Sequence, residues 1–120
     1  FLATFIIELL FGLGFLIAPG TLFGTFGVTL DPFGTSLARL FASGVLALST
    51  LVWYARAKDS AALKVAAART MFVYWLFSTV VSLIAQLNGL INNMGWVTIA
   101  MHLGFLIWTG VYAFKKEIRA

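Results

Sequence analysis

Four side chains in this sequence could do chemistry by their type and their setting: Glu8, Arg39, His102 and Gln86. Each stands inside a long apolar stretch. Ionisable groups in such a stretch cost about 2.5 to 3.5 kcal/mol apiece when it enters a bilayer, so each needs a reason. A carboxyl, a guanidinium, an imidazole and an amide brought together could pair charges, hold a proton or grip a small polar ligand. Their neighbours suit a shared interior. Thr4 and Gly12 flank Glu8 at four-residue steps, Ser43 and Ala47 follow Arg39, Ser78, Ser82 and Gln86 succeed one another, and Thr98 and Thr109 flank His102. Side chains three, four or seven apart share one face of a helix, and small or polar stripes are what membrane helices turn toward each other. The spacing therefore predicts a buried polar cluster of Glu8, Arg39, His102 and Gln86, with a Glu8–Arg39 ion pair at its centre.

Two readings of that cluster stand side by side. It either fixes helix register and nothing more, or it serves as a proton or ligand site. His102 carries a further alternative, the single axial ligand of a chlorophyll-type pigment. A b-type haem usually wants two ligands, and the chain has one His. Arg69 needs no partner, since its stem can reach the headgroups from the edge of its helix.

Other chemistry finds no footing. There are no cysteines, which removes disulfides, thiolate metal sites and thiol catalysis. No Ser-His-Asp set, His pair or intramembrane carboxylate pair is placed to act, so no catalytic residues, no metal and no enzyme activity are expected. Gly12-Leu13-Gly14 has no preceding strand and is no phosphate loop. Apart from the pigment alternative, no cofactor is expected.

The elements that must position these residues follow from composition. The chain has 120 residues, 62% of them hydrophobic and 10% charged, with a mean hydropathy of +1.02. Average soluble proteins carry about 25% charged residues, too many for this chain to match. A bilayer accepts the apolar surface that remains. Four spans fit, at about 1–17, 35–57, 61–87 and 96–114, forming one domain over 1–120. Ala18-Pro19-Gly20 stops the first span and Asp31-Pro32 reads as a cap with proline at the first helical position. Asp59-Ser60 supplies a turn and a cap before the third span, and the loop 88–95 is uncharged. Between the first two spans, Thr21 to Leu30 is rich in Gly, Phe and Leu and bears no charge. It is expected at the lipid interface as a short surface helix or a re-entrant turn. Glu8 in the middle of the first span argues against a cleaved leader there.

Charge sets the orientation. Arg56, Lys58, Lys64, Arg69, Lys115, Lys116 and Arg119 fall on one side of a four-span chain and only Arg39 on the other. Seven against one places the basic side, and with it both termini, in the cytoplasm. The net charge of +4 is explained by that bias rather than by nucleic acid. The expected fold is an all-α membrane protein, four transmembrane helices in an antiparallel bundle, with lipids and other integral membrane proteins, or further copies of itself, as partners.

The runs Leu16-Ile17-Ala18-Pro19-Gly20, Val28-Thr29-Leu30-Asp31-Pro32, Ala38-Arg39-Leu40-Phe41-Ala42-Ser43-Gly44 and Gly95-Trp96 leading to His102 resemble a family of small bacterial four-helix inner-membrane proteins known as a domain of unknown function. The resemblance covers most of the chain. It implies a multi-pass protein of the bacterial inner membrane and brings no activity with it. Together these readings point to a non-catalytic accessory or scaffolding subunit. A small proton-linked transporter acting as an oligomer and a pigment- or lipid-binding subunit are the alternatives.

Overall fold

A computed structural model describes residues 2–57 and 59–114. The described residues are helical apart from short connections: α1 Leu2–Ile17, α2 Pro19–Thr25, α3 Pro32–Ala57, α4 Ala61–Leu87 and α5 Met94–Phe114. Three of them, α3, α4 and α5, are long and apolar enough to cross a membrane, or four spans if the bent pair α1–α2 counts as one. The chain divides into two compact units, Phe1–Tyr54 and Ala55–Ala120. Of the seven cations expected on the cytoplasmic side, Lys58, Lys115, Lys116 and Arg119 lie outside the described residues.

In the first unit α1 is apolar along nearly its whole length and ends where Pro19 constrains the backbone before it. Ala18 leaves the helical region (φ −136°, ψ 60°), as a residue preceding proline tends to do. The chain then turns through 113° into α2. This short helix, one of the two forms expected for the segment, folds against the end it has just left. Leu22 packs on Gly14, where a Cβ would stand 2.6 Å from Leu22 Cδ1, and Phe23 meets Phe15 at a ring distance of 5.2 Å. Gly27 closes α2 with φ +76°. Its N–H and that of Val28 bond back to Gly24 and Phe23, a left-handed closure that glycine adopts without strain.

Asp31 starts α3 as the sequence predicts. Its Oδ1 accepts from the Gly34 N–H at 2.6 Å, and Pro32 occupies the first helical position, where its missing N–H costs nothing. Helix α3 thus starts at Pro32, where the cap predicts it, three residues ahead of the apolar span expected over 35–57. Helices α1 and α3 run antiparallel, because their contacts advance along one as they retreat along the other. Phe5 meets Trp53 at 5.0 Å, Gly12 faces Leu46 and Val45, and Phe15 meets Phe41 at 5.8 Å.

The second unit is a helical hairpin. Ser60 caps α4 by accepting from the Leu63 N–H at 3.2 Å. Gly89, at φ +72°, ends the helix with bonds from Gly89 and Leu90 back to Gln86 and Ala85. Asn92 Oδ1 accepts from the Met94 N–H at 3.0 Å, so α5 begins two residues before the Trp96 expected. The antiparallel register reads from Phe72 against Gly110 and Phe114, through Trp75 against Phe105, to Gln86 against Gly95. Trp75, with only 2% of its surface exposed, is the largest buried side chain.

Candidate functional site

Glu8 occupies the inward stripe of α1, as the four-residue spacing predicts: Thr4, Glu8 and Gly12 are its buried residues. Only 1% of Glu8 is exposed. Neither carboxyl oxygen has a hydrogen-bond partner among the described residues. The expected ion pair with Arg39 is therefore not formed. Arg39 lies on the exposed side of α3, and its Nε donates to the backbone carbonyl of Leu16 at 3.2 Å. That carbonyl belongs to the last turn of α1, where helix oxygens lack partners of their own and the dipole favours a cation. A free carbonyl at a helix end has taken the guanidinium instead of the carboxyl.

The stripe expected on α3 is displaced by one residue. Arg39, Ser43 and Ala47 are exposed, while Ala38, Ala42, Val45, Ser49 and Val52 are buried. These five also follow steps of three and four, so periodicity alone allows either set. The buried set is the more apolar, and it offers α1 a surface of small and branched side chains that lets the helices approach. Ser49 is the polar member that sequence reasoning passed over. It is 2% exposed and lies on the stretch of α3 opposite Glu8, between the Phe5–Trp53 and Gly12–Val45 levels.

His102 and Gln86 belong to the second unit, where they find different partners. The imidazole Nδ1 of His102 stands 3.4 Å from the Ser82 hydroxyl. Its ring lies 5.3 Å from that of Trp75, which also stacks on Phe105 at 5.0 Å. Phe105 in turn stacks on Trp108 at 6.0 Å. Trp75 is absent from the expected polar set, yet its buried indole Nε1 has no partner among the described residues. The signal for it was the step Met71-Trp75-Thr79, all buried on α4. Half-buried Ser78, Ser82 and Gln86 flank that row.

Gln86 turns away from any cluster and toward the loop. Its Nε2 donates to the carbonyls of Ile91 and Asn92, at 3.3 and 3.2 Å, while Oε1 is buried without a partner among the described residues. The amide lies directly over Gly95, where a Cβ would meet Oε1 far inside contact distance and Ile91 Cγ2 at 2.8 Å. Arg69, exposed on α4, sits with its guanidinium 5.4 Å from the centre of the Phe114 ring. Among the described residues no group of three His, Cys, Asp or Glu side chains is placed to hold a metal ion.

The polar residues thus divide into three local arrangements: an unpartnered acid on α1, an aromatic stack holding His102, and an amide clamp on the α4–α5 turn. No protein-family model, no curated protein and no solved structure matches the chain.

Proposed function

We propose that this chain is a non-catalytic integral membrane subunit that packs against other membrane proteins, in the cytoplasmic membrane of a bacterium. The observation that carries the reading is the surface its long helices leave open. Leu37, Leu40 and Phe41 on α3, Phe77, Val81 and Ile84 on α4, and Val97, Ile107 and Trp108 on α5 are all exposed. Water would not support such a surface, while lipid tails or the helices of a neighbour would. The seven-to-one division of Lys and Arg supports four spans with both termini in the cytoplasm, α1–α2 serving as the first. The bacterial setting rests on the family resemblance.

The test is mild solubilisation from the native membrane, with the co-purifying chains identified and an absorption spectrum recorded. A second integral membrane chain in fixed ratio, with no visible absorption, is expected. Protein that purifies only with copies of itself, and that dissipates a proton gradient in vesicles, would overturn the reading in favour of a proton-linked carrier. A visible band lost in His102→Ala would favour a pigment-binding subunit instead. The buried carboxyl of Glu8, without a hydrogen-bond partner among the described residues, is the observation that favours the carrier.

A further inference from the structure

Glu8 is an acid in a place that offers an anion nothing. Its oxygens are buried and receive no hydrogen bond from any described residue. An ionised carboxylate in that position would lose its hydration without compensation, whereas the neutral acid loses far less. We propose that Glu8 is a proton-binding site: its side chain is carried as the uncharged acid between α1 and α3, with a proton as its occupant. The proposal does not depend on whether the protein is an accessory subunit or a carrier.

The surroundings in the first unit agree with this. Helix α2 carries no charged or titratable residue, and α1 carries none besides Glu8. Along α3 Asp31 caps the first turn, Arg39, eighth in the helix, is engaged with Leu16, and exposed Tyr54 and Arg56 lie at the far end. Leu16 is eight residues along α1 from Glu8, about 12 Å at 1.5 Å per residue, so Arg39 is held at a different level. The stretch of α3 opposite Glu8 presents buried Val45, Ser49 and Val52. Thr4, one turn away on the same face, is buried too.

A membrane-soluble carbodiimide tests the assignment directly. The acid oxygen adds to the carbodiimide carbon while the acid proton moves to nitrogen. Migration of the acyl group from oxygen to nitrogen then leaves a stable N-acylurea that retains every atom of both reactants. A carboxylate that has lost its proton is not activated in this way. The intact protein in lipid vesicles is treated with N,N′-dicyclohexylcarbodiimide across about pH 5 to about pH 9, a range spanning ordinary and displaced carboxyl titration. Adducts are then mapped by peptide mass spectrometry.

The expected result is one adduct, on Glu8, at a rate that falls about tenfold per pH unit once the proton is lost. Arg39→Leu should label at the unsubstituted rate. Infrared spectra of the same vesicles should contain the carbonyl stretch of an un-ionised acid, and Glu8→Gln should remove it. No adduct at Glu8, a rate indifferent to pH, or no acid carbonyl stretch would each overturn the proposal. So would labelling that rises strongly in Arg39→Leu, which would make Arg39 the counter-ion of a charged Glu8.

Discussion

The guanidinium of Arg39 reaches across from α3 and donates from Nε to the carbonyl oxygen of Leu16, at 3.2 Å in the last turn of α1. The bond ties the end of one helix to the first half of its antiparallel neighbour. It also settles what Arg39 does in this unit, since the Glu8 carboxyl accepts nothing from it.

Arg39→Leu and Glu8→Gln should therefore have independent effects. Arg39→Leu removes a hydrogen bond and should cost about 1 kcal/mol. Glu8→Gln keeps the shape of an already uncharged side chain and should cost about as little. Thermal unfolding of both single variants and the double in detergent should give losses that add within about 0.5 kcal/mol. A double variant markedly more stable than the sum would mean that the two residues are coupled after all.

Gly95→Ala should be far more disruptive than an exposed glycine substitution. The new methyl would enter the space of the Gln86 amide and of Ile91, so the clamp on the Ile91 and Asn92 carbonyls must open. Overpacking of this kind costs about 1 to 3 kcal/mol. Hydrogen exchange should accelerate across 88–93 in Gly95→Ala. In Gln86→Ala the same amides should exchange faster, and adding Gly95→Ala should then cost less than it does alone, since only the Ile91 contact remains.

Phe23→Asp should release α2 from α1. The Phe23 ring packs on Phe15 one residue beyond the Leu22–Gly14 contact, and a carboxylate there loses that burial. A loss of about 3 kcal/mol is expected, in the range of large-to-small aromatic replacements. Unfolding in detergent measures it. Phe23→Leu should retain most of the stability.

Single cysteines at Asn93 and Asp59 should label from opposite sides of the membrane if the chain crosses it four times. Both residues are exposed. Ser60 and Asn92 are better left alone, because one caps α4 and the other holds the start of α5. Membrane-impermeant maleimide applied outside intact cells should reach position 93 and not position 59. Equal access to both would remove the four-span arrangement.

The helices were legible because their punctuation is chemical. Asp31-Pro32, Ala18-Pro19 and Ser60 act through backbone rules that no tertiary context overrides here, and α4 runs over the Ala61–Leu87 that the sequence predicts. The inward face of α1 was equally plain, since Thr4, Glu8 and Gly12 are the polar and small residues of one stripe. The partners of the polar side chains were not. Arg39 and Gln86 were each expected to seek another side chain, and each found backbone carbonyls, which every sequence offers and none advertises. On α3 two stripes one residue apart share the same period, and charge drew attention to the exposed one. In a protein whose outside is as apolar as its inside, hydrophobicity does not choose between them.

Four indoles are distributed so that one stands apart. Trp53, Trp96 and Trp108 are exposed, whereas Trp75 is enclosed with its ring against Phe105 and His102. Lipids brominated along their acyl chains, which quench fluorescence on contact, should darken those of the three outer indoles that they touch and spare Trp75. Emission that survives once all three are quenched would report on the α4–α5 hairpin alone. It should respond to the charge state of His102 beside it, giving this protein an optical probe of its own interior that requires no label.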